Sequence, residues 1–440
     1  MSKRIGIRRE DKSIWERRVP IVPEDARRLQ EEHGIEVIVQ PSDIRVFREE
    51  EFTQAGIRAE EDISTCPVVF AVKEIPEYVF QPKHTYMFFA HVIKGQPYNM
   101  PMLKRMMELG CQLIDYEKVT DEKGRRLIFF GRHAGLSGMI ETLWALGQRL
   151  DWEGIPNPFS DLRQTYQYDS LAEAKAAVSA LGERIAREGL PEQITPLICG
   201  FAGYGNVFRG ADEIIELLPV KEIEPHEVAT VAQSTDYAQN ALYKVVFKEE
   251  HTVEPLSPAD RFELQDYYGH PEKYRGTFSN YLPYLTLLVN CVYWEEKYPR
   301  LVTKADLKQL YGGEEPPRLR VIGDISCDIE GAIEGTVKST EPDEPVFVYD
   351  PFEDRAIDGA AGQGPVIMAV DILPSELPRD ASTYFSGVLM DYVPAIAQAD
   401  YSVPFEELDL PPAIKRALIV HRGELTPDYR YLEEYVHELE

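Results

Sequence analysis

Short apolar stretches alternate with segments of helical periodicity through the first 130 residues. The predicted strands are residues 3–8, 36–40, 68–72, 86–90 and 112–115. Helical spacing of apolar side chains predicts helices over residues 23–33 and 99–109. Because parallel strands need a crossover connection between them, this alternation predicts an α/β unit with a mostly parallel sheet.

The same alternation continues after a long helical segment at residues 133–150, with a second helix at 171–187. Further strands are predicted at residues 195–199, 220–223, 243–247, 285–289, 318–324, 346–349 and 365–369. The C-terminal helices are predicted at residues 382–399 and 410–420. A chain of 440 residues with this pattern predicts two α/β domains, each with a mostly parallel sheet.

The charge of the chain narrows the classes of partner. Its 75 acidic and 47 basic residues give a formal net charge of −28, which argues against nucleic acid or an anionic membrane surface as the main partner. The five cysteines form no CxxC pair and are odd in number, which favours reduced thiols over a disulfide framework or a metal site. Because the N-terminal residues contain no apolar leader segment, we expect a cytoplasmic protein. We also expect that the protein uses no metal.

A glycine-rich segment, Ile198-Cys199-Gly200-Phe201-Ala202-Gly203-Tyr204-Gly205-Asn206-Val207, joins a predicted strand to a helix. Such a turn binds a pyrophosphate through backbone N–H groups at the helix N-terminus. Phe208 stands where the third glycine of the usual fingerprint would be, and Gly210 follows later. Glu224, 19 residues after Gly205, is the candidate acid for the ribose hydroxyls. The alternative is an ordinary strand-to-helix turn.

Charged side chains follow several predicted strands. Arg18 lies in the segment after the first strand, and Lys73 and His91 follow two later ones. Ligands of open α/β sheets bind outside the carboxyl ends of the strands, so Lys73 and His91 could converge as a catalytic pair. Taken singly, Lys73 could also be a solvated surface lysine, and His91 could be a hydrogen-bonded structural histidine. Asp328 belongs to a turn after the strand at residues 318–324, where turn formation alone could explain it.

The segments ERRVPIVP, AVKEIP, FFAHVIKGQ, LIDYEKVTDEKGRRLIFFGRHAGLSGM and GDISCDIEGAIEGT occur in this order. Together they resemble the alanine dehydrogenase and pyridine nucleotide transhydrogenase superfamily, and within it the lysine–2-oxoglutarate reductase (saccharopine-forming) domain. The resemblance implies that Lys73 and His91 are catalytic. It implies substrate binding by Arg18, Arg126 and Phe130. For the cofactor it implies Gly203, Tyr204, Gly205, Asn206, Val207, Glu224, Asn290 and Asp328. The Arg132-His133 pair departs from the pattern beside the expected substrate site and leaves the amine and keto acid open.

The resemblance also implies an organisation and a reaction. We expect two Rossmann-like domains with a cleft between them: a discontinuous substrate domain (residues 1–132 and 344–440) and a dinucleotide-binding domain (133–343). The implied reaction condenses L-lysine with 2-oxoglutarate and reduces the imine with NAD(P)H to saccharopine. Glu224 favours NADH on electrostatic grounds, whereas the resemblance favours NADPH, which we expect. A homo-oligomer is possible. The alternatives are a related amino-acid or opine-type dehydrogenase and a non-catalytic nucleotide-binding regulatory subunit.

Overall fold

A computed structural model describes residues 3–314 and 316–437. It divides into two compact units, one of Met1–Phe130 with Pro378–Glu440 and one of Gly131–Leu377. The strands are β1 (Arg4–Ile7), β2 (Glu36–Val39), β3 (Arg58–Ala59), β4 (Val68–Phe70), β5 (Thr85–Phe88), β6 (Gln112–Asp115), β7 (Ile198–Ala202), β8 (Val220–Glu222), β9 (Leu242–Phe247), β10 (Val253–Pro255), β11 (Tyr274–Gly276), β12 (Leu287–Asn290), β13 (Val321–Asp324), β14 (Val346–Asp350), β15 (Arg355–Asp358), β16 (Val366–Met368), β17 (Leu418–His421) and β18 (Glu424–Leu425).

The α-helices are α1 (Pro23–His33), α2 (Glu49–Gln54), α3 (Met100–Glu108), α4 (Gly131–Trp152), α5 (Leu171–Glu188), α6 (Asn206–Ile215), α7 (Val228–Gln233), α8 (Glu249–Thr252), α9 (Leu264–Gly269), α10 (Lys304–Tyr311), α11 (Pro378–Leu389), α12 (Val393–Gln398), α13 (Pro412–Ala417) and α14 (Leu432–His437). The alternation of strands and helices confirms the predicted α/β class, and both large sheets are mostly parallel, as predicted.

The first unit is built on a sheet with the strand order β18-β17-β6-β5-β4-β1-β2-β3. Its strands from β6 to β3 are parallel, and β17 and β18 add an antiparallel edge. Helix α1 begins with Pro23, whose fixed φ suits a first turn, and ends at Gly34 in the left-handed conformation. The central strands are almost wholly apolar and buried, as a sheet covered on both faces requires.

The second unit contains a sheet with the order β15-β14-β16-β13-β12-β7-β9-β8. Alternate residues of β7 enter two different cores: Cys199 and Phe201 join one apolar cluster, and Ile198 and Ala202 join another. Because successive side chains of a strand point to opposite faces, the sheet is covered on both sides. The strands from β16 to β8 are parallel, and β14 and β15 form an antiparallel edge.

The structure corrects the predicted boundary near residue 344. The resemblance implies that residues 344–377 belong to the substrate domain, but β14, β15 and β16 belong to the second sheet, where β16 pairs with β13. The chain returns to the first unit at Pro378. The local pattern predicts that these segments are strands, but their partners are set by long-range hydrogen bonding, which the pattern does not contain.

Two helix predictions near the C-terminus also change. The helix predicted over residues 410–420 ends at Ala417, and the next residues form β17, which pairs antiparallel with β6. The helix predicted over residues 382–399 is two helices, with Pro394 in the first turn of the second. Proline has no N–H to continue a preceding helix and suits a helix start, which explains the second change.

Candidate active site and nucleotide-binding turn

Four neighbouring strands of the first sheet bring charged residues to one edge. Strands β1, β4, β5 and β6 are adjacent and parallel, so their carboxyl ends lie on the same side. Lys73 comes three residues after β4, His91 three residues after β5, and Glu117 two residues after β6. Arg18 lies in the segment between β1 and α1. We call Glu16, Arg18, Lys73, Glu74, His91 and Glu117 the charged cluster.

Arg18 is buried and held in place on two sides. Its Nε donates to Glu16 Oε1 at 2.7 Å and its Nη2 to Glu16 Oε2 at 2.5 Å. The guanidinium carbon lies 4.3 Å from the centroid of the Phe130 ring, a cation–π contact. Phe130 in turn stacks on Phe385 at 4.6 Å. The Nη1 nitrogen makes no hydrogen bond to the described part of the chain and remains free to donate to a carboxylate.

Lys73 is half-buried, and its backbone is fixed by a buried carboxylate. Glu10 Oε2 accepts from the Lys73 backbone N–H at 2.9 Å, and Oε1 accepts from Val72 N–H at 2.7 Å. Burial and the nearby charge of Arg18 hold the pKa of the Lys73 ammonium below its usual value, against the opposing effects of Glu16 and Glu74. The lysine therefore lies in an electrostatically coupled cluster.

His91 has a φ of 49°, in the left-handed region that few non-glycine residues adopt. Its ring stacks near Phe89, with centroids 6.2 Å apart, and its Nδ1 lies 3.9 Å from Glu117 Oε2. Burial lowers the pKa of His91, as does the charge of Lys73, while Glu74 and Glu117 oppose the shift. Lys73 is therefore close enough to His91 for its charge to affect the proton affinity of the histidine.

Arg126 belongs to the same neighbourhood through Glu117. The Arg126 guanidinium forms an ion pair with Glu117, and half of its side chain is exposed. The structure thus brings together Lys73, His91, Arg126 and the Arg18–Phe130 pair in the first unit.

Sequence reasoning missed the carboxylates of this site. Glu16 and Glu74 adjoin candidate residues in the chain, so their position was a usable signal. Glu10 lies in the same segment as Arg18, and Glu117 follows β6. Only the order of the strands brings Glu10 to the backbone of Lys73 and Glu117 to His91. Asp115, at the end of β6, is also buried, and burial raises its pKa to about 7.

In the second unit, the glycine-rich segment forms the turn between β7 and α6. Gly203 has a φ of 94°, and a Cβ there would lie 3.0 Å from the Cys291 carbonyl oxygen, so this glycine is required by the backbone itself. Gly205 has a φ of −83°, and a Cβ there would meet nothing within 4 Å. Helix α6 begins at Asn206 and continues through Val207, and no side chain caps its N-terminus.

These features fit a dinucleotide pyrophosphate. Uncapped N–H groups at a helix N-terminus bind anions, and the open space at Gly205 permits close approach of a ligand to the backbone. Gly210 explains the departure from the usual fingerprint: a Cβ at Gly210 would lie 2.0 Å from the Arg132 carbonyl oxygen of α4. The third glycine of the fingerprint, which permits close packing, is therefore shifted from position 208 to Gly210, and it packs against helix α4.

Asn290 and Asp324 end the two strands that follow β7 in the sheet. Asn290 Nδ2 donates to Asp324 Oδ1 at 2.8 Å, and Thr336 Oγ1 donates to Asp324 Oδ2 at 2.6 Å. Burial raises the pKa of Asp324 to about 6. Asp328, in the following turn, is exposed. Of the two carboxylates in this segment, Asp324 supports the loop and Asp328 is accessible to a ligand.

The topology corrects the position predicted for the ribose-binding acid. Glu224 follows β8, but β8 is the edge strand and β9 lies between it and β7. The prediction assumed that the first strand after the glycine turn is the neighbour of β7. The spacing rule fails because β9, which follows later in the chain, takes the neighbouring position.

Arg132, which the sequence places beside the expected substrate site, forms an ion pair within the second unit. Its Nε donates to Glu213 Oε2 of α6 at 2.9 Å, and its Nη2 donates to Glu213 Oε1 at 2.7 Å. Lys175 also pairs with Glu213. Arg132 therefore links helices within the second unit.

Two further observations concern only residues 3–314 and 316–437. No helix there has the length and apolar character needed to cross a membrane. No group of three or more His, Cys, Asp or Glu side chains in this part of the chain has an arrangement that could hold a metal ion.

Comparison with known proteins gives several relatives. The chain is 37% identical to alpha-aminoadipic semialdehyde synthase of Arabidopsis thaliana over 97% of this chain and 41% of that protein. It is 34% identical to the mitochondrial alpha-aminoadipic semialdehyde synthase of Mus musculus over 98% of this chain and 47% of the relative. The chain thus spans less than half the length of these relatives. Identity to saccharopine dehydrogenase [NAD(+), L-lysine-forming] of Yarrowia lipolytica is 26%, over 90% of this chain and 93% of that protein.

Solved structures share the fold. An L-alanine dehydrogenase matches with a TM-score of 0.60 and 15% identity over 99% of this chain and 100% of the other. A transhydrogenase from Sinorhizobium meliloti matches with a TM-score of 0.53 and 13% identity over 96% and 100%. Residues 6–137 match the alanine dehydrogenase/PNT N-terminal domain, and residues 277–428 match the C-terminal domain of the same family. These two matches together span more than half of the chain, which therefore belongs to the alanine dehydrogenase/PNT family.

Proposed function

We propose that this chain condenses L-lysine with 2-oxoglutarate and reduces the resulting imine to saccharopine with a nicotinamide nucleotide. The observation that carries the proposal is the charged cluster, in which Lys73 lowers the pKa of His91 and Arg18 keeps one guanidinium nitrogen, Nη1, without a hydrogen bond to the described residues. A relative whose name gives saccharopine as its substrate and L-lysine as its product is similar over 90% of this chain, which supports lysine and saccharopine as the compounds that this chain interconverts.

The reaction needs a base and an acid. The ε-amine of lysine attacks a carbonyl only when neutral, so its ammonium must first lose a proton. A lowered pKa favours the neutral form of the His91 imidazole, which can accept a proton. His91 therefore accepts the ammonium proton. After the amine nitrogen has bonded to the carbonyl carbon, Lys73 donates a proton to the oxygen, which becomes a hydroxyl. The neutral Lys73 then takes a proton from the amine nitrogen and passes it to the hydroxyl, which leaves as water and gives the protonated imine.

Carboxylate binding orients the two substrates. Lysine and 2-oxoglutarate together carry three carboxylates, and a planar guanidinium suits such groups. Arg18 offers Nη1 from a buried position, whereas Arg126 is exposed and already paired with Glu117. Arg18 thus binds a carboxylate near the reacting carbon, and Arg126 exchanges Glu117 for a carboxylate farther out.

The second unit supplies the nucleotide site. The turn at Gly203, Gly205 and α6 holds the pyrophosphate, and Asp328 is an exposed carboxylate in the turn that follows β13. When bound, the nicotinamide supplies the hydride that reduces the imine carbon.

The test is a substrate panel with the purified protein. L-Lysine, L-ornithine and ammonia are each combined with 2-oxoglutarate, oxaloacetate and pyruvate, and nicotinamide oxidation is followed by absorbance. We expect turnover with lysine and 2-oxoglutarate and saccharopine as the product by mass spectrometry. Preferential use of ammonia and pyruvate would replace the proposal with an alanine dehydrogenase activity, and nucleotide binding without any turnover would favour a regulatory subunit.

A further inference from the structure

The residue two positions beyond the end of β9 lies beside the glycine turn. Ala202 of β7 is in register with Phe247 of β9, and the Gly203 N–H donates to the Phe247 carbonyl oxygen at 3.1 Å. Two residues further along each segment are Tyr204 and Glu249. The Tyr204 hydroxyl donates to Glu249 Oε2 at 3.1 Å, so the register continues as a side-chain contact.

A second hydroxyl fixes the same carboxylate. Tyr268, in the short helix α9 between β10 and β11, donates to Glu249 Oε1 at 2.6 Å. Both tyrosines are partly exposed, at 44% and 41% of their surface, so the cluster faces solvent on one side. Glu249 is therefore a positioned carboxylate that remains within reach of a ligand at the turn.

Glu249, unlike Glu224, follows the strand that is next to the glycine-turn strand β7. In dinucleotide-binding sheets, the acid that meets the adenosine ribose follows the strand next to the glycine-turn strand. That strand is β9, whereas Glu224 follows β8, one strand spacing of about 4.8 Å farther away. Glu224 is also exposed, and its backbone N–H is bound to Glu227 in a separate helical turn.

We infer that Glu249, held by Tyr204 and Tyr268, binds the ribose hydroxyls of the adenosine half and makes the chain select NADH over NADPH. This inference rests on the proposed nucleotide site. A carboxylate accepts from the two hydroxyls of NADH, while the 2′-phosphate of NADPH would bring a second anion against it. Glu250 adds another carboxylate next in the chain, and Lys248 is the adjacent cation. The result reverses the NADPH preference that the family resemblance implied.

Titration of NADH and of NADPH by nicotinamide fluorescence tests the inference without any need for turnover. We expect the unmodified protein to bind NADH at least about tenfold more tightly, the range for one charge-assisted hydrogen bond. Glu249→Gln removes the charge with little change in shape. It should weaken NADH binding about tenfold or more and bring the dissociation constants of NADH and NADPH closer together.

Three control variants locate the effect. Glu224→Gln makes the same chemical change at the edge strand and should leave the ratio unchanged. Lys248→Ala should leave the affinity for NADH unchanged, because NADH has no 2′-phosphate for the lysine to bind. Tyr268→Phe frees one carboxylate oxygen and should weaken NADH binding less than Glu249→Gln does. Thermal unfolding of each variant shows that the fold is retained.

The outcomes separate this inference from the proposed function. Tighter binding of NADPH, an unchanged ratio in Glu249→Gln, or a changed ratio in Glu224→Gln would each overturn the role of Glu249 and leave the reductase proposal standing. Absence of binding by either nucleotide would overturn both. Selective NADH binding without turnover of lysine and 2-oxoglutarate would support Glu249 and contradict only the choice of reaction.

Discussion

The Glu10 carboxylate accepts a hydrogen bond of 2.9 Å from the backbone N–H of Lys73. Glu10 precedes Lys73 by 63 residues, and the two meet because β1 and β4 are neighbours in the first sheet. With its second oxygen, Glu10 accepts from Val72 N–H, so one buried side chain fixes the backbone that carries the candidate catalytic lysine. Burial, followed by the charge of Glu16, raises the pKa of Glu10 to about 7.

This arrangement predicts a pH dependence of stability. A carboxyl whose folded pKa of about 7 lies above its ordinary 4.5 is protonated more in the folded protein between those values. Stability therefore falls as pH rises through this window. Relative to Glu10→Gln, which does not titrate, the unmodified protein should lose on the order of 3 kcal/mol between pH 4.5 and 7. Denaturant unfolding of both proteins across this range measures it. If the difference in unfolding free energy between the two proteins stays constant across this pH range, the pKa of Glu10 is ordinary.

Lys73 and His91 should act as one coupled pair. Lys73→Met should lower kcat by about 10²–10⁴-fold, the usual loss for a positioned proton-transfer group. His91→Asn, chosen because asparagine tolerates the left-handed φ of 49°, should have an effect of the same order. The kcat/KM profile should be bell-shaped, with its acidic limb below the ordinary histidine value and its alkaline limb below the ordinary lysine value.

The pH profiles of the unmodified enzyme, both single variants and the double variant provide the measurement. Because Lys73 and His91 act in the same proton transfers, the fold decrease in kcat of the double variant should be smaller than the product of the two single decreases. Lys94→Met, which removes an exposed lysine of the same unit, is the matched control. Normal kcat and an unaltered profile in both single variants would exclude the pair as the acid and base.

Arg18 should separate substrate binding from nucleotide binding. Arg18→Lys retains the charge but loses the planar fork, and it should raise the KM of an amino- or keto-acid substrate about ten- to a hundredfold. The KM of the nucleotide should change little, and Arg17→Lys serves as the control. Arg18→Ala should in addition destabilise the fold by about 3–5 kcal/mol, because Glu16 would remain buried without its partner. Equal effects on substrate and nucleotide would place Arg18 outside the substrate site.

The two glycines of the turn should respond differently to substitution. Gly205→Val should weaken nucleotide binding while the melting temperature stays near that of the unmodified protein, because open space surrounds the position. Gly203→Ala should lower the melting temperature, since φ is 94° and the Cys291 carbonyl is too close. Fluorescence titration and thermal unfolding of both variants measure this. Unchanged nucleotide affinity in Gly205→Val would reduce the glycine turn to a structural role.

The sequence by itself determined the class of fold and most of the candidate chemistry. Periodicity reports which side chains are buried along a segment, so it located the central strands and the helices α1 and α5 within a few residues. The carboxyl ends of neighbouring parallel strands share an edge, so residues that end such strands, Lys73 and His91, could be expected to meet without knowledge of the coordinates. The glycine turn was readable because its backbone requirement is local.

The tertiary structure decided which strands are neighbours. A strand's own sequence does not specify which strand supplies its hydrogen-bond partners, so the pattern could not place β14 to β16 in the second sheet or β17 beside β6. For the same reason the sequence pattern indicated Glu224 as the ribose-binding acid, whereas the strand order β7-β9-β8 brings Glu249 to the glycine turn. The strand order β6-β5-β4-β1 brings Glu117 into the charged cluster and Glu10 to the backbone of Lys73. Those contacts depend on long-range strand pairing, and local periodicity carries no record of it.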